Sequence, residues 1–139
     1  MAFFNDSDQL YACAEALFTQ IGEQDPGASE AIQASHLVIR LRCSEPDAEF
    51  TLNGRQRPVQ ITYGPSNLRP TLDIDLAAGT LHHILLGELS LKKAMGNGLL
   101  KVRGPVWKVT VLADLFYRGQ EIYPQILKDQ GLAGDGSGI

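Results

Sequence analysis

Leu10, Ala14, Leu17, Phe18 and Ile21 return at helical spacing near the start of the chain, the repeat that aligns one apolar stripe. Asp6 or Ser7 stands where an N-cap is needed and Gly22 where the turn can stop, so an amphipathic helix is expected. Glu23 to Ser35, with Asp25-Pro26-Gly27 inside it, reads as a turn followed by a weak helical segment. At His36 the period changes to two: Leu37, Ile39, Leu41 and Cys43 share one face, and His36, Arg40 and Arg42 the other, as in a strand buried on one side. Ala48, Phe50 and Leu52 alternate up to Asn53-Gly54, a dipeptide suited to a type I′ hairpin turn, and the chain returns through Val59, Ile61 and Tyr63. Pro58 cannot donate to a ladder, so this returning strand belongs at an edge or carries a bulge. Thr71 to Leu76 alternates again with Asp73 and Asp75 pointing away from the core. Up to this point the strands follow one another in antiparallel style.

Short helices come next. Thr80 can cap one carrying Leu81, Ile84 and Leu85 and ending at Gly87, and Ser90 a second carrying Leu91, Ala94 and Met95 and ending at Gly96. Gly98 leads into a fifth strand, Leu99 to Arg103, which stops at Gly104. Pro105 suits the first position of a further helix on which Val106, Val109, Ala113 and Phe116 share a face and which Gly119 closes. A last short helix holds Ile122 and Ile126. The expected fold class is α+β (an α/β two-layer arrangement): a five-stranded, mostly antiparallel sheet covered by helices. One domain is expected over residues 1–130, with 131–139 a flexible Gly-rich tail; no internal repeat is present.

Composition narrows the function classes. The chain has 139 residues, 44% hydrophobic and 20% charged, ordinary values for one globular domain able to bury a core without staples. No apolar run approaches the roughly 20 residues that span a bilayer, and Met1-Ala2-Phe3-Phe4 runs straight into Asn5-Asp6-Ser7-Asp8 without the pattern of a secretory leader. A cytoplasmic protein is expected, with Cys13 and Cys43 reduced and buried. A net charge of −4 argues against nucleic acid as a partner. The charge is uneven, however: Met1 to Ile39 holds acids and no Lys or Arg, whereas Lys92, Lys93, Lys101, Arg103 and Lys108 gather around Glu88 alone. Either the two halves balance locally, or a basic face makes transient contact with an anionic membrane surface.

Signatures of catalysis are missing. The chain has no Gly-x-Ser-x-Gly elbow, no phosphate-cradling loop and no dinucleotide fingerprint. His82 and His83 are adjacent, so on a helix they diverge by about 100°, whereas two metal ligands on one helix sit at i and i+4. They read as solvent-facing or cavity-edge residues, without a metal or other cofactor. Asp73 and Asp75, about 7 Å apart along a strand, read as solvated acids rather than an acid–base pair. Cys13 has acids around it in sequence, which disfavours a thiolate. What remains is a concentration of apolar residues between glycines in the second half, able to close a core or line a pocket.

From Leu85 to Gly104 the chain resembles the sterol carrier protein 2 (SCP-2) family of lipid-binding domains. Gly87, Leu89, Ala94, Gly98, Lys101, Val102 and Gly104 occupy its frame: an apolar helix ending in Gly-x-Leu, a short helix with a central Ala, then Gly-Leu-x-Lys-Val-x-Gly. The order of elements from Ser7 to Phe116 agrees with that family. Ala77-Ala78-Gly79-Thr80 and Pro105 depart from it where acids are common. The resemblance implies a five-stranded sheet backing a hydrophobic tunnel that takes a fatty acyl chain, a sterol or a similar apolar small molecule, with no catalytic residues. The expected lining is Leu81, Ile84, Leu85, Leu89, Met95, Val102, Val106, Trp107, Leu112 and Phe116. The alternative is a closed core in a protein-interaction or dimerisation module accessory to a lipid-related pathway.

Overall fold

Asp6 starts the first helix: its carboxylate accepts the Gln9 N–H at 2.8 Å, and α1 runs Ser7–Gln24. A computed structural model describes residues 3–132. After α1 come a 3-10 turn, Pro26–Ser29, and α2, Glu30–Ser35. The strands are β1 (Val38–Ser44), β2 (Ala48–Asn53), β3 (Gln60–Tyr63) and β4 (Leu72–Ala77). Then follow α3 (Ala78–Leu85), α4 (Leu91–Gly96), β5 (Leu100–Arg103), a 3-10 helix (Val106–Leu112) and α5 (Ala113–Asp129). The Gly-rich tail expected from residue 131 lies, from 133 on, outside the described residues.

Five strands form one sheet in the order β3-β2-β1-β4-β5. Pro58 precedes the edge strand β3, as its missing donor requires. The antiparallel succession fails at one point: β4 pairs with β1, in parallel, with Ile39 opposite Leu72 and Leu41 opposite Ile74. Both strands of the β1–β2 hairpin are thus interior to the sheet, and residues 64–71 must carry the chain back across it. Alternation nevertheless places Ile39, Leu41, Phe50, Leu52, Leu72 and Ile74 on one buried face, against which the helices pack.

Several local expectations change once the chain folds. No two-residue turn forms at Asn53-Gly54; six residues separate β2 from β3. Gly54 is required there for close approach, because a Cβ would lie 2.5 Å from the Ile32 carbonyl and 2.6 Å from that of Leu37. Helix α3 begins at Ala78, so Thr80 sits buried in its first turn instead of capping it. Ser90 does cap α4, accepting the Lys93 N–H at 3.0 Å, but the helix runs through Gly96, and Gly98 at φ +75° turns the chain. Pro105 precedes a 3-10 helix, and a single α5 replaces the two expected helices. Gly119 is buried inside α5, where a Cβ would meet Leu85 at 3.3 Å and Ile21 at 3.7 Å. It lets helices approach instead of ending one.

Candidate functional site

The apolar stripe of α1 and the inner face of the sheet meet α3 and α5 in one seam. Leu10, Cys13, Ala14, Leu17 and Phe18 come from α1, Leu81 and Leu85 from α3, Phe116 and Tyr123 from α5, and Leu41 and Phe50 from the sheet. Phe4, ahead of α1, completes the lining and is buried. The seam holds a cavity of about 20 Å³, room for about one water. Gln120 ties α5 to the end of α3 through the Ile84 carbonyl at 3.0 Å. Tyr11 Oη accepts the Glu49 N–H at 2.9 Å and holds α1 on β2.

His82 is buried behind the Tyr123 that lines the seam, not solvent-facing or at the cavity edge as expected for both histidines. Its Nδ1 lies 2.6 Å from Tyr123 Oη. Phe3 stacks on its ring at 3.8 Å between centroids, and Phe4 meets it edge-on at 6.0 Å. His83 faces solvent with Nδ1 2.7 Å from Glu88 Oε1. The two imidazoles thus enter different environments, as adjacent helical positions must. Burial pushes the Cys13 thiol up to about 11 and Cys43 up to about 12; the cause at Cys13 is desolvation, not the neighbouring acids. Burial likewise raises the Tyr123 phenol, with Cys13 adding to it. None of these groups is poised as a nucleophile near neutral pH.

The structure sorts the ten expected lining residues. Leu81, Leu85 and Phe116 face the seam. Ile84 and Leu112 are buried in the wider core, and Leu89, Met95 and Val102 are half-buried against it. Val106 and Trp107 point elsewhere, 44% and 72% exposed. The residues overlooked were those of the first half, Phe4 and the α1 stripe above all. The α1 periodicity marks them as core, but only the crossing of α1 with α5 makes them one wall of the seam.

Asp73 and Asp75 are not the freely solvated acids expected. Asp73 is only 8% exposed, and its carboxylate accepts from Arg40 at 2.5 Å and from Arg42 and Arg103 at 3.1 Å. Asp75 takes Arg103 at 3.0 Å and Arg42 at 3.5 Å. The Arg40 hydrogen bond, with Arg103 adding to it, holds the Asp73 carboxyl at about 2. Parallel pairing of β1 with β4 puts Arg40 opposite Asp73 and Arg42 opposite Asp75, so this cluster braces the outer face of the sheet. Among the described residues no group of three or more His, Cys, Asp and Glu side chains could hold a metal ion.

Order of elements and mixed sheet recur in known proteins. The model of the SCP-2 sterol transfer family covers residues 18–117. The chain belongs to that family. Among curated proteins none matches. Solved SCP-2 structures share the fold: the sterol carrier protein domain 2 of Helicoverpa armigera is 14% identical with a TM-score of 0.60, over 77% of this chain and 84% of that one. The apo form of sterol carrier protein 2 from Yarrowia lipolytica is 13% identical with a TM-score of 0.59, over 80% and 89%. Palmitated SCP2L2 from Aedes aegypti is 13% identical with a TM-score of 0.55, over 76% and 92%. Family membership makes lipid or sterol binding or transfer the class of activity for this SCP-2 domain. No helix among the described residues is long and apolar enough to cross a membrane.

Proposed function

We propose that this SCP-2 domain binds and carries a single-chain lipid or sterol-like molecule, without catalysis, in the seam between α1, α3, α5 and the sheet. The observation that carries the reading is the chemistry of that seam: a continuous apolar wall from three helices and two strands, in which Tyr123 supplies the one phenol, backed by His82. Such a site suits an alkyl or ring body with one polar end. That the Aedes aegypti SCP2L2 of the same fold is a palmitated form supports the acyl choice.

The seam must part to admit a guest. Ligand pockets measure roughly 300–1,000 Å³, far above the about 20 Å³ found here. A dry void of ~300 Å³ would cost about 7 kcal/mol against a typical total stability of about 5–15 kcal/mol. A wall that closes on itself and opens around a ligand avoids that penalty. Of the ten expected lining residues, Leu81, Leu85 and Phe116 are the ones we retain, joined by Phe4, Leu17 and Tyr123.

A second reading, an interaction module with a plain core, has the tightness of the seam in its favour. Native mass spectrometry of gently purified protein, with displacement of a fluorescent fatty acid in vesicle-free buffer, separates the two. A bound mass removed by organic extraction, together with saturable displacement, is the expected result. Absence of both removes the carrier reading and leaves the module.

A further inference from the structure

One end of the sheet gathers exposed apolar and basic side chains, and the main chain explains how. The N–H of Gly54 reaches the Leu37 carbonyl and that of Thr71 the Val38 carbonyl, each at 2.8 Å. Gly54 and Thr71 therefore flank the N-terminal end of β1, with Arg55 and Arg57 following the one and Leu68 and Arg69 preceding the other in the chain. Gly104 comes next, so close to Thr71 that a Cβ would stand 2.4 Å from its carbonyl oxygen. Three strand spacings make this row roughly 15 Å across. Leu68, three residues before Thr71, and Val106 and Trp107, two and three residues after Gly104, are exposed. Arg55, Arg57, Arg69 and Lys108 are exposed beside them, and none of the four pairs with a described carboxylate.

At the opposite end the corner made by the β1–β2 turn and the start of α1 has the other sign, while Lys92, Lys93 and Lys101 lie on the β5 side of that end. Ser7 Oγ donates to the Asp47 carbonyl at 2.5 Å, which sets the start of α1 beside the β1–β2 turn and brings Asp6, Asp8, Glu45 and Asp47 to that end, all exposed. At the basic end Glu30 shares a surface depression with Arg57, while Asp73 and Asp75 on the adjoining face are already held by Arg40, Arg42 and Arg103. An anionic surface thus repels the β1–β2 corner and attracts the basic end, despite the net charge of −4.

We propose that the basic end docks on a bilayer containing anionic lipid, with Trp107 seated at headgroup depth between Val106 and Leu68. Tryptophan favours that interface because its ring is apolar and its indole N–H polar. Lys and Arg near an anionic leaflet each strengthen binding about fivefold. The α1 face cannot serve in this way, since α1 carries no Lys or Arg. This face takes its purpose, loading from or delivery to a bilayer, from the carrier reading of the seam.

Trp107 is the chain's only tryptophan, so its emission reports directly on the proposed contact. The full chain is mixed with phosphatidylcholine vesicles, with and without phosphatidylserine, and followed by co-sedimentation and tryptophan fluorescence. Binding that needs phosphatidylserine, falls with added salt and shifts Trp107 emission to the blue is expected. Arg69→Gln with Lys108→Gln should weaken binding roughly 25-fold, and Trp107→Ala should weaken it with an unchanged melting temperature, as an exposed side chain allows. Indifference to phosphatidylserine, an unmoved emission, or full binding by both variants overturns the proposal, and an acidic protein surface is then the better occupant. Loss of fatty-acid binding in vesicle-free buffer overturns carriage alone; absence of vesicle binding overturns docking alone.

Discussion

Replacing Phe4 by Ala should weaken the fold and at the same time make room for a guest. Phe4 is 3% exposed and lines the seam, with its ring edge-on to Phe3 at 4.9 Å. Truncating a buried Phe costs about 3–5 kcal/mol. Phe4 precedes α1 and lies in no helix or strand, so the lower figure is taken, as for a segment with few backbone ties. That corresponds to a fall in melting temperature of roughly 10 °C for a chain of this size. Of the loss, about 2.4 kcal/mol is the cavity part if ~100 Å³ stays open at ~24 cal/mol per Å³. A ligand present at a hundred times its Kd returns about 2.7 kcal/mol, which nearly matches it. Calorimetry of wild type and Phe4→Ala, with and without a medium-chain fatty acid, tests the reasoning. The variant should gain clearly more in melting temperature from the ligand than wild type does. Ile32→Ala is the control: Ile32 is fully buried but lies on α2, away from the seam, so this variant should gain no more from ligand than wild type does. Equal ligand shifts in all three proteins, or a loss below about 1 kcal/mol for Phe4→Ala, would refute the idea that Phe4 occupies ligand space.

Asp73→Asn should cost about 2–3 kcal/mol near neutral pH, measured by urea unfolding, because three guanidinium groups lose their shared carboxylate. The native carboxyl is held at about 2, below its unfolded value near 3.9. Its contribution is therefore present above about pH 4 and disappears as the pH falls toward about 2, so the gap between wild type and variant should close over that window. Gly104→Ala should lose about 3 kcal/mol or more, since it combines φ +115° with a Cβ 2.4 Å from the Thr71 carbonyl oxygen; a melting temperature within a degree or so of wild type would contradict this. At pH 8 roughly one Cys13 thiol in a thousand is ionised, given its rise to about 11. Reaction with a thiol reagent should therefore wait on opening of the fold, at a rate that rises with denaturant and falls when a seam ligand is bound.

Much of the fold was legible because its signals are local. Asp6 and Ser90 cap their helices as read, and the two-residue period of β1, β2 and β4 identified the buried face correctly. Gly87, Gly98 and Gly104 all have positive φ, and these same glycines carried the family resemblance. Backbone sterics at such positions depend on a few neighbouring atoms, so a short stretch of sequence reveals them. The candidate site was harder to read. Leu81, Leu85 and Phe116 reached the seam from the second half, whereas Val106 and Trp107 belong to the surface. A 3-10 helix replaced the expected α-helix there and changed which side chains turn inward.

The sequence by itself determined the first helix, the strands, the inward face of each strand and the class of domain, since hydrophobic period, capping chemistry and glycine sterics act over a few residues, but not the helices after Pro105. Tertiary structure alone decided that β1 takes β4 as a parallel partner, which turns Asp73 from a surface acid into the centre of an arginine cluster. It also decided that Gly119 permits helix contact, that Phe4 closes the seam, and that Trp107 stays outside. Each of these depends on which distant segments meet, and periodicity constrains only which way a side chain faces, not what it finds there.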